Sequence, residues 1–186
     1  ISGYLEDLRD PVSQEEIERI PYGKMLRSKL IGAIAGESEL SVTLAAVVEM
    51  IHMASLLHDD VIDEAPTRRG VEAIHIHAGS KRAIMLGDLL YSKGFYELTT
   101  LEREVAQAIS EAVMRLSLGE ILDVRLGERF SPDREAYLDM IDKKTAALIQ
   151  ASAYGAAHLA GLEAERYGDY GRYLGLAFQM VDDILD

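Results

Sequence analysis

The sequence predicts an all-α protein, and three features carry that expectation. Only four prolines occur, Pro11, Pro21, Pro66 and Pro132. The stretches between them are rich in Ala, Leu, Glu, Met and Arg, which lose little conformational freedom in a helix. Alternating apolar and polar runs joined by Asn-Gly or Asp-Gly turns, the signature of hairpins, are missing.

In chain order, Ser13 and Glu16 have capping-box spacing, so a helix is expected to start there. Lys24 and Arg27 are spaced for one helical turn. From 44 to 62 the apolar residues fall at helical intervals, with Leu44, Val47, Val48 and Ile51 on one side and Met50, Ala54, Leu57 and Val61 beside them. A helix apolar on more than one face belongs in a core. The segment 66–80 breaks the pattern with Arg68, Arg69, Gly70 and Gly79, and reads as a loop or a short helical excursion. Further helices are expected over 81–99, 101–126, 132–160 and 168–186. The third should open with Ser131 as N-cap and Pro132 at the first helical position.

The 186 residues suffice for one helical domain, expected to span 1–186, and the 48% hydrophobic content argues against disorder. No uninterrupted apolar run reaches the roughly 20 residues of a membrane-spanning helix. There is no Cys, which excludes disulfides, thiolate metal sites and cysteine nucleophiles and fits a cytoplasmic setting. The formal net charge of -13 repels nucleic acid, so no nucleic-acid partner is expected. The chain opens on Ile1 and stops at Asp186 inside an apolar pattern. The expectation is an excerpt lacking a C-terminal portion.

Two acidic pentads stand out. Asp59-Asp60-Val61-Ile62-Asp63 puts Asp59 and Asp63 one turn apart on a helix, with Asp60 three before Asp63. Asp182-Asp183-Ile184-Leu185-Asp186 repeats the spacing. Each ends an apolar stretch, where crowded carboxylates need compensating charge. One such pentad in an acidic chain can be a solvated surface; two on core-type helices argue against that. Oxygen-only ligands suit a hard cation such as magnesium, which binds one or two carboxylates and shares phosphate oxygens with a substrate. Two clusters facing each other would hold a diphosphate through such ions.

Basic residues complete the pattern. Adjacent arginines are usually surface residues, but Arg68 and Arg69 directly after an acidic cluster suit bidentate phosphate binding. Lys24 and Arg27 alone would be an ordinary amphipathic pair. His52 lies seven residues before Asp59, two turns along the same face, although a lone His on an apolar helix is usually a core residue. His58, His75 and His77 are weaker signals: His75 and His77 lie close to a loop, and a zinc reading lacks a convincing third ligand. Tyr91, Tyr96 and Tyr154 read as packing groups, and Lys144-Thr145 alone as surface.

Taken together, these pieces resemble the trans-polyprenyl diphosphate synthase family. The matching residues are Gly23-Lys24 with Arg27; His52; Ser55-Leu56-Leu57-His58 running into the first pentad; Arg68-Arg69-Gly70; Gly87-Asp88; Gly119-Glu120 with Asp123; Lys144-Thr145; and Phe178-Gln179 before the second pentad. The resemblance covers residue 22 to the end. The chain departs from it at Ser28, where Pro is usual, and at Glu72, Ala73 and Ala78. Family members also continue well past the second pentad.

The resemblance implies a bundle of long, mostly antiparallel helices around a central apolar cavity, usually as a homodimer. It implies magnesium binding by Asp59, Asp63 and Asp182, with Asp60, Asp183 and Asp186 in support. Arg68, Lys144 and Gln179 would contact an allylic prenyl diphosphate, and Thr145 would be a further substrate-binding residue. Lys24, Arg27, His52 and Arg69 would hold the diphosphate of isopentenyl diphosphate. The implied activity is head-to-tail condensation of the two. Small residues at Ala54 and Ser55, with Phe95 as a candidate cavity floor, imply a product longer than fifteen carbons. A terpene cyclase and a non-catalytic subunit of a heteromeric synthase remain as alternatives. The duplicated pentad counts against both.

Overall fold

A computed structural model describes residues 23–128 and 133–185. The Ser13/Glu16 capping box, the Ser131-Pro132 pair and Asp186 lie outside the described residues. The elements run α1 (Leu26–Ala35), α2 (Glu39–Ile62), β1 (Thr67–Arg68), β2 (Val71–Glu72), α3 (Ile74–Ala78), α4 (Ser80–Leu98), α5 (Arg103–Glu128), α6 (Arg134–Ile141), a π-helical turn (Asp142–Ala146), α7 (Ala147–Leu159) and α8 (Ala164–Leu185). The all-α expectation holds, with one two-residue ladder as its only strands among the described residues.

Several boundaries differ from the expected ones, each for a local reason. Helix α2 starts at Glu39, ahead of the first periodic apolar residue, because Ser38 and Ser41 cap it reciprocally. The Ser41 amide donates to Ser38 Oγ at 3.1 Å and the Ser38 amide to Ser41 Oγ at 2.8 Å. Helix α6 starts at Arg134 with Asp133 as its cap, accepting from the Glu135 and Ala136 amides at 2.9 and 3.2 Å. The expected helix over 132–160 is interrupted by the π turn. Helix α8 begins at Ala164, not at Gly168, because that glycine packs inside the helix against Tyr154. Between β1 and β2, Arg69 and Gly70 both take positive φ, 53° and 77°, the sign pattern of a type I′ hairpin turn.

The chain divides into two compact units, with Ala46–Thr100 in one and Lys29–Ala45 and 101–185 in the other; 23–28 belongs with the first. In the first, Met50, Met53, Ala54 and Leu57 of α2 meet Ile74 of α3 and Ala83, Leu86 and Leu90 of α4. Met50 and Leu90 are fully buried, each contributing about 1.5–3 kcal/mol. In the second unit, α7 packs against both α5 and α8. Its buried alanines, Ala147, Ala151, Ala153, Ala156 and Ala157, allow close helix approach. Gly155 of α7 lies against Leu44 and Val105, each 3.1 Å from where its Cβ would stand.

Helix α2 is long and apolar enough, by length and composition alone, to cross a membrane, which the reading of uninterrupted runs missed. Of its most apolar window, 72% is buried inside the fold, as in a core helix.

Candidate functional site

The first pentad closes α2, with Asp59 to Ile62 in its last turn and Asp63 the residue after it. Asp59 and Asp60 are buried and Asp63 is exposed. Carboxylates at a helix C-terminus oppose the helix dipole, at a cost of about 0.3–1 kcal/mol each when exposed. The chain answers one of them directly: Arg68 donates to Asp60 Oδ1 through Nε at 2.7 Å and Nη2 at 2.5 Å. Glu64 closes the helix in the left-handed region, φ 50°, with the Ala65 amide bonded to the Asp60 carbonyl at 3.0 Å. The His58 ring seats on Gly87, with Nε2 at 3.0 Å from the Ile84 carbonyl and 3.5 Å from Asp88. This accounts for the Gly87-Asp88 pair and gives His58 a local anchoring role.

The same unit collects cations. Burial first, then the charges of Arg27, Arg69 and Arg68, push the His52 imidazole well below its usual value, so it is neutral near pH 7. Burial likewise lowers Arg27 to about 10, against the raising influence of Glu49; Arg69 adds to the lowering. The Arg27 Nε is buried without a hydrogen-bond partner among the described residues. Glu49 accepts from the Ser28 amide at 3.2 Å and the Ser28 hydroxyl at 2.7 Å. The adjacent arginines diverge at the hairpin: Arg68 turns to Asp60, and the Arg69 guanidinium fills the space where a Gly23 side chain would stand. Lys24 corrects an expectation. It is exposed, in the lead-in to α1, and Met25 follows at φ 49°, so Lys24 and Arg27 do not share a helical turn.

In the second unit the π turn places Lys144 and Thr145. It fits because Gly119 of α5 and Gly175 of α8 both lack a side chain. A Cβ on Gly119 would strike the Lys144 backbone, and one on Gly175 would stand 2.6 Å from Ala146 Cα. Lys144 Nζ then reaches Glu120 at 2.8 Å and Asp123 at 2.6 Å, so it is an ion-paired group and not a surface lysine. Asp142, at the start of the turn, binds Arg115 at 2.7 Å and Arg172 at 2.6 Å. π turns of this kind are frequent at functional sites.

The Thr145 hydroxyl donates to Gln179 Oε1 at 2.7 Å, and Gln179 Nε2 donates to Asp183 Oδ1 at 2.7 Å. The Tyr137 hydroxyl donates to Asp183 Oδ2 at 2.6 Å. Burial and this bond push the Tyr137 phenol up to about 12. Asp182 and Asp183 are both exposed on the last turn of α8. Asp60 in the first pentad and Asp183 in the second each accept two bonds from protein donors. The oxygen-only chemistry of Asp59, Asp63 and Asp182 fits a hard divalent cation. Sequence reading missed Tyr137, Glu49 and the π turn.

Of the residues assigned to product length, Ala54 is buried in the apolar cluster of α2, α3 and α4. Ser55 is 6% exposed and donates to the His52 carbonyl at 2.8 Å. Phe95 stacks on Tyr91 with centroids 6.4 Å apart. Tyr96 corrects its reading as a packing group: it is 68% exposed, with Lys93 Nζ 5.4 Å from its ring centroid.

Several known proteins are similar to this chain. Octaprenyl diphosphate synthase of Escherichia coli K12 is 40% identical over 158 residues, 83% of this chain and 49% of that protein. The crystal structure of octaprenyl pyrophosphate synthase from Helicobacter pylori superposes with a TM-score of 0.93 at 42% identity, covering 100% of this chain and 63% of that one. A polyprenyl synthase from Caulobacter crescentus, crystallised with calcium and isoprenyl diphosphate, gives 0.87 at 30% identity, covering 98% and 60%. The chain thus spans about half the length of the curated relative it matches. The sequence model of the polyprenyl synthetase family matches residues 14–186, and the chain belongs to that family.

Proposed function

We propose that the chain carries the aspartate-rich part of a prenyltransferase that joins an allylic prenyl diphosphate head to tail with isopentenyl diphosphate. The observation that carries this reading is the cationic group of the first unit. A chain of net charge -13 nonetheless gathers Arg27, Arg68 and Arg69 around a neutral His52 and buries Arg27 Nε without a partner among the described residues. Such a group is suited to a polyanion. The calcium and isoprenyl diphosphate bound to the Caulobacter relative supply the same combination of cation and diphosphate.

In this reading Asp59, Asp63 and Asp182 hold magnesium, with Asp60, Asp183 and Asp186 in support. When bound, magnesium supplies positive charge to the diphosphate that departs from the allylic carbon. Arg68, Lys144, Thr145 and Gln179 add donors to the same oxygens, stabilising charge as it develops. Lys24, Arg27, His52 and Arg69 hold the diphosphate of isopentenyl diphosphate. Departure of diphosphate leaves an allylic cation, which the isopentenyl double bond attacks. Loss of a proton to the departed diphosphate restores an alkene, so no protein nucleophile is needed.

The octaprenyl names of the relatives support a product longer than fifteen carbons. A homodimer is supported by Met114, Leu118 and Ile121, exposed along one face of α5. A cytoplasmic location is part of the proposal.

The test is incorporation of radiolabelled isopentenyl diphosphate into longer prenyl diphosphates, with magnesium supplied and then chelated. Asp59→Ala and Asp182→Ala should each lower turnover by about 10²–10³-fold or more. Wild-type rates in either variant would sink the assignment.

A further inference from the structure

Tyr137 makes a contact that no sequence motif marks. It is carried on α6, whereas Asp183 lies on the last turn of α8. The phenol donates to Asp183 Oδ2 at 2.6 Å, while Gln179 donates to Oδ1 at 2.7 Å. Both oxygens of that carboxylate are therefore engaged by donors of this chain. Gln179 is itself anchored by the Thr145 hydroxyl at 2.7 Å, so the network leads back to the π turn. Asp182, one residue earlier, points about 100° away around the helix and carries neither bond.

At the end of α8, Val181, Ile184 and Leu185 are 56%, 80% and 79% exposed. A hydroxyl-to-carboxylate bond is charge-assisted and roughly twice as strong as a neutral one. It ties the helix end to α6 across 46 residues of sequence.

We infer that Tyr137 is a positioning residue for the second aspartate cluster. By holding Asp183, it fixes the last turn of α8 and so the direction in which Asp182 presents its oxygens to a divalent cation. The inference rests on the magnesium–diphosphate reading above. Partners that orient metal ligands from outside the coordination sphere are typically worth about 10–100-fold in metal affinity.

The experiment titrates manganese, a spectroscopically visible stand-in for magnesium, into the chain in the presence of inorganic diphosphate. Free manganese is followed by electron paramagnetic resonance. Tyr137→Phe removes one oxygen and keeps the ring. It should weaken manganese binding about tenfold while leaving the circular dichroism of the metal-free protein unchanged and lowering its melting temperature by no more than loss of one hydrogen bond does. Asp183→Asn should weaken binding as well. The double variant should be no weaker than Asp183→Asn alone, because both changes act through one contact. Wild-type affinity in Tyr137→Phe, with binding weakened in Asp182→Ala, overturns the positioning role and leaves the magnesium reading standing. Wild-type affinity in Asp182→Ala overturns the reading and the inference together.

Discussion

The backbone nitrogen of Lys144 occupies the space where a side chain on Gly119 would begin. That approach lets the π turn lie flat on α5, and the same helix then supplies Glu120 and Asp123 to the lysine ammonium. Gly119→Ala should displace the turn, and with it Lys144 and Thr145. Overpacking of this kind costs about 1–3 kcal/mol. Urea denaturation should register that loss. Kinetics should show a larger fall in kcat and a higher KM for the allylic diphosphate, with the KM for isopentenyl diphosphate little changed. Unaltered kinetics in a folded Gly119→Ala protein would mean that the close approach does not set the lysine.

His52 gives the fold a pH dependence with a defined sign. Its folded value is depressed by burial and by Arg27, Arg69 and Arg68, whereas in the unfolded chain it returns to about 6.5. Below 6.5 the unfolded state binds a proton that the folded state refuses. Stability therefore falls as pH drops from 6.5 toward the folded value, and His52 adds no slope above 6.5. Chemical denaturation at a series of pH values should show this slope in the wild-type chain and a shallower one in His52→Gln. Equal slopes in the two proteins would remove His52 as its source.

Ser28 stands where the resembling family usually has Pro, and the structure gives it work that Pro cannot do. Its amide and hydroxyl both donate to Glu49, the residue whose charge offsets the burial of Arg27. Ser28→Ala should cost about 1 kcal/mol, the net worth of one hydrogen bond. Glu49→Ala should cost more, about 1–3 kcal/mol, because it strips acceptor and counter-charge together. Thermal unfolding of both variants checks the order; a larger loss for Ser28→Ala would reverse this account.

Product length is expected to respond to Ser55 and Ala54 in different ways. Ser55→Phe should shorten the prenyl chain while magnesium-dependent ionisation continues. Ala54→Tyr should shorten it too, but with a stability loss of about 1–3 kcal/mol, since Ala54 already lies in the packed apolar cluster. Reverse-phase chromatography of the reaction products reads the outcome. An unchanged distribution in both variants, with activity retained, places length control elsewhere.

The sequence by itself determined what depends on short-range pattern. Apolar residues at helical intervals specified α2 and its central place, because a helix apolar on several faces is stable only when buried. The two pentads were legible because three carboxylates within five residues crowd one another wherever the chain goes. The exact start of α8 was less legible, since Gly168 lowers helix propensity locally and repays it only through packing on Tyr154. Tertiary structure alone decided the rest. The π turn requires missing side chains on two other helices, at Gly119 and Gly175, and nothing in Asp142–Ala146 announces it. Arg68 and Arg69 are neighbours in sequence, yet a turn with two positive φ values sends one to Asp60 and the other onto Gly23. Tyr137 and Asp183 meet across 46 residues. Such contacts are set by how helices pack, and local propensity carries no record of a partner that distant.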